Sequence, residues 1–213
     1  ILILGAGKIG LAIASALKHE EYNIILSDYS EEAIGKSKEY FLNRKFDTEC
    51  DISFHVGESD SYLKENPYPT MVVSALPYHM NKDIASGCIY DGIPYVDLGG
   101  HVDTTNQIRE HAERNASAPV ASDQGLAPGL VNICAEEAFE AVKENKYRSA
   151  KIKMAVGGLP ENRGLNPLDY IVTWSVDGLI NEYEGEAEIL EGAERKRVPT
   201  LTGLETMTVD GDE

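Results

Sequence analysis

The chain has 213 residues and carries 36 acidic against 19 basic side chains, a formal net charge of −17. That balance argues against nucleic acid as a partner, because phosphate binding needs a basic face, and it reads as an acidic, solvated surface. A hydrophobic fraction of 42% suffices to bury a sizeable core in one large or two small domains.

In chain order, the wholly apolar run 1–4 predicts a strand covered on both faces. Ile9, Ile13 and Leu17 then share one helix face at spacing four. A second strand is expected over 23–27, and Ser30 followed by Glu31 and Glu32 reads as a capped helix start, with the helix running to about Arg44. Further strands are expected over 52–56, 70–74, 95–97 and 119–121, with helices over 80–90 and 105–115. Repeated βα units with short connections predict an α/β fold with a doubly wound parallel sheet.

The rhythm changes after Asp123. A helix over 129–144 carries Leu130, Ile133, Cys134, Ala138, Ala141 and Val142 as an apolar stripe, which would place Cys134 in a core. Strands are expected around Ile152, Met154 and Val156, over 171–176, and over 183–190. Glu182, Glu184, Glu186 and Glu188 alternate with other residues, a period that puts four carboxylates on one strand face. This α+β texture places a domain boundary near residue 122, dividing the chain into 1–122 and 123–213. Cys50, Cys88 and Cys134 fit neither a zinc pattern nor a disulfide framework, so no metal and a reduced, cytoplasmic setting are expected. The first apolar run is too short for a signal peptide or a membrane span, so no membrane partner is expected. The chain starts without methionine and ends on Asp210-Gly211-Asp212-Glu213, and both ends read as cuts.

The motif with the most chemistry is Gly5-Ala6-Gly7-Lys8-Ile9-Gly10. It follows a strand, opens a helix, and has Asp28 at the end of the next strand, 18 positions after Gly10. Gly5 permits the tight turn, Gly7 lets backbone approach a pyrophosphate, and Gly10 allows close helix–strand contact. The helix N-terminus offers N–H groups and a partial positive charge to the phosphates. Lys8 reaches either a phosphate or solvent. Asp28 can accept hydrogen bonds from both ribose hydroxyls, and neither Tyr29 nor Ser30 is an arginine able to compensate a 2′-phosphate. NAD is therefore the expected cofactor. Ala75, Leu76 and Pro77, at the next strand end, are expected to line the groove, with Pro77 fixing the turn. Tyr78, His79 and Asn81 follow, and one of them faces the nicotinamide end on this pattern.

Two further strand ends run into glycines. They are Tyr95-Val96-Asp97-Leu98-Gly99-Gly100-His101 and Asp123-Gln124-Gly125-Leu126-Ala127-Pro128-Gly129-Leu130-Val131-Asn132. Both are expected at the carboxyl edge that holds the nucleotide loop. The helix after Gly129 would offer N–H groups to an anion, with Asn132 adding a side-chain contact.

With these segments in view, the sequence resembles the saccharopine dehydrogenase family, and within it a lysine 6-dehydrogenase-like branch. The resemblance rests on residues 3–10, Ala75-Leu76-Pro77, Val96-Asp97, Gly125-Leu126-Ala127-Pro128-Gly129-Leu130 with Asn132, and Val156-Gly157-Gly158-Leu159-Pro160. It continues in Pro167-Leu168-Asp169-Tyr170 and Thr173-Trp174-Ser175. It implies a Rossmann domain followed by an α+β substrate and dimerisation domain, a homodimer, and a returning segment that this chain lacks. The implied reaction is oxidation of an amine carbon by hydride transfer to nicotinamide, giving an imine that water hydrolyses. L-lysine or a saccharopine-like amino acid is the implied substrate.

That chemistry needs a group to manage the amine proton. Asp97 and His101 are the catalytic candidates, His101 because histidine shuttles protons near neutrality. Asp97 could instead bind the substrate amine or cap the glycine turn, the two standing equal, and His101 could be an exposed loop residue. Tyr78, Asp123, Pro128, Gly129 and Asn132 are candidates for substrate contact, though Asp123 fits shaping the turn better. Leu98, Gly99, Gly125 and Leu126 join the cofactor list. Trp174 suits a core or interface of the second sheet. A saccharopine or carboxynorspermidine-type dehydrogenase is the alternative within enzymes, but Arg163 is the obvious arginine for a second carboxylate and stands alone. A non-catalytic NAD-binding sensor is the alternative outside them.

Overall fold

The computed structural model describes residues 1–20, 22–46, 50–59, 61–65, 69–145, 151–157, 160, 162, 164, 170–172 and 174–206. Strand β1 (Leu2–Leu4) leads into helix α1 (Lys8–His19), then β2 (Ile24–Asp28), α2 (Glu31–Leu42) and β3 (Ile52–Val56). A short α3 (Ser61–Glu65) precedes β4 (Val72–Ser74), α4 (Tyr78–Asp91), β5 (Tyr95–Asp97), α5 (Val102–Asn115), β6 (Val120–Ala121) and α6 (Leu130–Glu144). All pairings among these strands are parallel, and the sheet order is β3-β2-β1-β4-β5-β6. This is the expected doubly wound sheet. The order reverses between β1 and β4, which opens a crevice at their carboxyl ends.

The sheet is covered on both faces, and the apolar strands supply both cores. Leu2, Leu4, Val72 and Tyr95 pack with Ile84, Ala85 and Cys88 of α4 and with Ile108 of α5. On the other face Ile3, Ile24, Leu26 and Val73 pack with Ala14 of α1 and with Ile34 and Phe41 of α2. Ser30 caps α2, its hydroxyl accepting the Ala33 N–H at 3.2 Å.

The chain forms two compact units, Ile1–Val156 and Gly157–Glu213. In the second, α7 (Val176–Tyr183) is capped by Ser175, whose hydroxyl accepts the Gly178 N–H at 3.2 Å. Strands β7 (Glu186–Glu191) and β8 (Glu194–Pro199) form an antiparallel hairpin.

Several expectations change here. Residues 176–183 are helical because Ser175 and Asp177 supply a cap and an acidic first turn, so the strand expected over 171–176 does not reach Val176, and residues 171, 172, 174 and 175 carry no strand. Glu182 belongs to α7 and Glu184 ends it, leaving Glu186 and Glu188 as the carboxylates of one strand face. Residues 151–157 carry no regular element despite their alternation. Helix α6 has no buried residue, and Cys134 is exposed rather than part of a core. Its apolar stripe has the periodicity, but Leu130 and Ile133 on it are exposed. Helices α4 and α5 start earlier than expected, at Tyr78 and Val102, and α3 and β8 were not expected. Gly158, Leu159, Arg163, residues 167–169 and Thr173 lie outside the described residues. Among the described residues no helix is long and apolar enough to cross a membrane, and no group of acidic, histidine or cysteine side chains could hold a metal ion.

Candidate dinucleotide-binding site and the facing loops

The turn after β1 works because its glycines have no side chains. Gly5 adopts φ +96°, and a Cβ there would stand 2.8 Å from the Ala75 carbonyl oxygen. A Cβ on Gly10 would overlap the Gly5 carbonyl oxygen, so α1 packs on the turn only with glycine at that position. Gly7 faces open space, with no atom within 4 Å of where a Cβ would sit. It is the N-cap of α1, which has neither a side-chain cap nor an acidic residue in its first turn. The first N–H groups of a 12-residue helix thus face an open cradle at its positive end, which fits a pyrophosphate. Lys8 and Ile9 are exposed beside it.

Asp28 ends β2 beside this turn. One carboxylate oxygen accepts the Ala6 N–H at 2.7 Å and the other the Ser30 N–H at 2.8 Å. The carboxylate therefore ties the glycine turn to the start of α2. Each oxygen keeps acceptor capacity, since a carboxylate has about four lone-pair sites. Tyr29 is 76% exposed. The first turn of α2 adds Glu31 and Glu32, and Lys36 sits 2.6 Å from Glu32. His55 on β3, given no role by its sequence context, places Nδ1 3.0 Å from the Ser27 hydroxyl on the neighbouring strand.

Beyond β4, the Ala75 N–H donates to the Leu4 carbonyl at 2.8 Å, and Leu76 lies against Gly5. Ala75, Leu76 and Pro77 therefore flank the glycine turn across the switch point. Of the next residues, Asn81 is buried and its side-chain oxygen accepts the Ser74 hydroxyl at 2.8 Å. His79 is exposed. Tyr78 is half-buried and stacks on His101, the ring centroids 5.0 Å apart and the planes within 11°.

The β5 end is tightly organised. Asp97 is 1% exposed. One of its oxygens accepts the Gly99 N–H at 2.7 Å, and the other accepts the Ser122 hydroxyl at 2.8 Å. The Gln124 N–H donates to the Asp97 carbonyl at 2.9 Å. Asp123, at φ 62°, accepts the Thr105 hydroxyl at 2.8 Å, and a Cβ on Gly99 would overlap its carboxylate. A Cβ on Gly125 would stand 2.8 Å from the Leu98 carbonyl oxygen. Loops 97–101 and 122–125 are thus laced together by two aspartates, with Ser122 and Thr105 as partners that no sequence motif marked. The same field reaches Tyr95, whose hydroxyl ionises above its ordinary range because of burial first and the Asp97 charge second.

The 125–129 turn closes on itself. The Leu130 N–H donates to Gly125, Val131 to Leu126, and Asn132 and Ile133 both to Gly129, at 2.9 to 3.3 Å. The Asn132 side-chain oxygen accepts the Gly129 N–H at 3.0 Å. The first amides of α6 are therefore engaged within the turn, which removes the expected reason for an anion to settle there. Leu126 and Pro128 are exposed on it, and Gly129 is buried at φ +128°.

A doubly wound sheet with an open glycine cradle at its switch point and an acid at the end of β2 defines a Rossmann-type dinucleotide-binding fold. Residues 1–124 match the saccharopine dehydrogenase NADP binding domain, and residues 125–210 match the saccharopine dehydrogenase C-terminal domain. The chain belongs to the saccharopine dehydrogenase family. It is 25% identical over 213 residues to the mitochondrial alpha-aminoadipic semialdehyde synthase of Bos taurus, covering 98% of this chain and 22% of that protein. The Mus musculus protein of the same name is 27% identical over 209 residues, covering 95% of this chain and 21% of that one. The chain thus spans about a fifth of the length of these relatives. Among solved structures it resembles apo saccharopine dehydrogenase (L-Glu forming) of Saccharomyces cerevisiae. That match has a TM-score of 0.62 at 16% identity and covers 99% of this chain and 47% of that one, a likeness of fold.

Proposed function

We propose that the protein is an NAD-dependent oxidoreductase that oxidises the amine carbon of an amino acid, with L-lysine or a saccharopine-like secondary amine as substrate. The observation that carries the cofactor half is Asp28, positioned by Ala6 and Ser30 with acceptor capacity left for ribose hydroxyls. A 2′-phosphate at this place would meet Asp28, Glu31 and Glu32, while Lys36, the cation of the first turns of α2, is paired with Glu32. When bound, a nicotinamide ring supplies the hydride acceptor.

The chain's own residues do the positioning. The cradle at Gly7 and the α1 N-terminus hold the pyrophosphate, and Ala75, Leu76 and Pro77 form the groove wall beside it. The laced loops 97–101 and 122–125 form the facing wall with Leu98, Gly99 and Gly125, and carry Leu126, Pro128 and Gly129 towards the substrate. Asp97 and Asp123 bind loop amides and hydroxyls, so they act by holding this wall. Tyr78 and His101 are the side chains of this edge that meet the substrate end. The substrate class rests on membership of the family, and the lysine branch on the segments quoted above.

Purified protein is mixed with NAD and, separately, L-lysine, saccharopine and diamines, and absorbance of the reduced cofactor is followed. Turnover with lysine or with saccharopine supports the proposal, and the one that turns over names the branch. NAD binding without turnover on any amine would make the protein a sensor.

A further inference from the structure

We propose that His101 serves this edge as a neutral hydrogen-bond donor through Nε2–H, offered to an oxygen acceptor of the bound cofactor or substrate, and not as the base that deprotonates the amine. The proposal rests on the dinucleotide reading above.

A neutral imidazole has one N–H and one nitrogen lone pair. His101 is the N-cap of α5, and its Nδ1 accepts the Thr104 N–H at 3.4 Å, with the Thr104 hydroxyl also 3.4 Å away. The cap takes the lone pair, because an N-cap side chain works by accepting an orphan amide hydrogen of the first turn. The ring proton therefore resides on Nε2. A base acting on a substrate amine would need its lone pair at Nε2, which puts the proton on Nδ1; the Thr104 hydroxyl at 3.4 Å could then accept it, but the Thr104 N–H would lose its cap. Capping and proton abstraction thus exclude one another in a single ring.

The ring is also held in place. It lies nearly parallel to Tyr78 at 5.0 Å. Gly100, at φ +119°, runs so close that a Cβ there would stand 3.4 Å from the Tyr78 Cβ. Turning the imidazole over would put a carbon where Nδ1 meets the Thr104 N–H and break the cap, and tilting it out of its plane would break the stack. What such a ring can give a ligand is one N–H in a fixed orientation. The acceptors of matching chemistry are a carboxamide oxygen on nicotinamide and a carboxylate oxygen on an amino acid.

The test is the ring's tautomer and its response to each ligand. The full chain is labelled with 15N-histidine, and ring nitrogens are read by NMR in mildly alkaline buffer, where an ordinary histidine is neutral. His101→Asn assigns the signals and keeps a capping oxygen. The expected result is an Nε2–H tautomer in the free protein and a melting temperature of the variant close to wild type. The variant should lose about tenfold in affinity for one ligand, the scale of one hydrogen bond. A shift of the Nε2 signal on adding NAD alone assigns the carboxamide. A shift only when L-lysine is added to the NAD-bound protein assigns the carboxylate. An Nδ1–H tautomer, or an Nε2 signal indifferent to both, overturns the proposal. A wild-type chain that binds no NAD overturns the dinucleotide reading and the ligand half of this one, and the tautomer is still read without any ligand.

Discussion

Asp28 and Asp97 occupy equivalent places, each ending a parallel strand and each preceding a glycine-rich or capped turn, yet they differ in what acceptor capacity they leave. Asp28 is half-buried and holds two backbone amides, one per oxygen, with room for more. Asp97 is fully buried and holds the Gly99 amide and the Ser122 hydroxyl inside the protein. The difference teaches that a carboxylate at a strand end keeps or loses free acceptor capacity according to what the neighbouring loop brings to it. Ser122 and Asp123 converge on Asp97, whereas beside Asp28 the exposed Tyr29 leaves the way open.

The strongest way to break this contrast is at the glycine turn. Gly10→Ala places a methyl group on the Gly5 carbonyl, and the expected outcome is loss of NAD binding by more than about a hundredfold with about 3 kcal/mol of stability. Titration and thermal melting check both. Asp97→Ala strips acceptors from buried donors and should cost about 3 kcal/mol of stability in denaturant melts. Asp97→Asn, which restores one acceptor, should recover part of it. A catalytic Asp97 without a fastening role would leave the melt unchanged.

Asp28→Ala should do the reverse. We expect NAD affinity to fall by about tenfold or more, the scale of a charge-assisted hydrogen bond, with about 1 kcal/mol of stability lost. A separate effect, away from the site, is in alkali. Burial, and then the Asp91 charge, push the Cys88 thiol from 9.0 up to about 12. Its folded-state value is raised, so the stability it contributes is complete below pH 9 and declines as pH rises from 9 towards about 12. Melts across that window should show the fall, with a shallower slope in Cys88→Ala. A thiol reagent at neutral pH should modify exposed Cys134 and spare Cys88.

The sheet was legible because its signals are local. Apolar runs such as Ile1-Leu2-Ile3-Leu4, the cap at Ser30 and the glycines of the first turn each state their structure within a few residues. The cofactor side of the site was legible for the same reason, since Gly5, Gly7, Gly10 and Asp28 have fixed spacing. The facing wall was not. Whether Asp97 binds substrate or fastens a loop depends on Ser122, 25 positions away, and the capping use of His101 depends on where α5 begins. The end of the strand expected over 171–176 was not legible, because the cap at Ser175 makes Val176 the first residue of a helix.

Parallel titrations of the wild-type protein with NAD and NADP test most directly whether Asp28 selects NAD, as proposed. We predict NAD to bind at least about tenfold more tightly, as expected when a 2′-phosphate meets an unneutralised carboxylate. NADP binding as tightly as NAD, or more tightly, would contradict it.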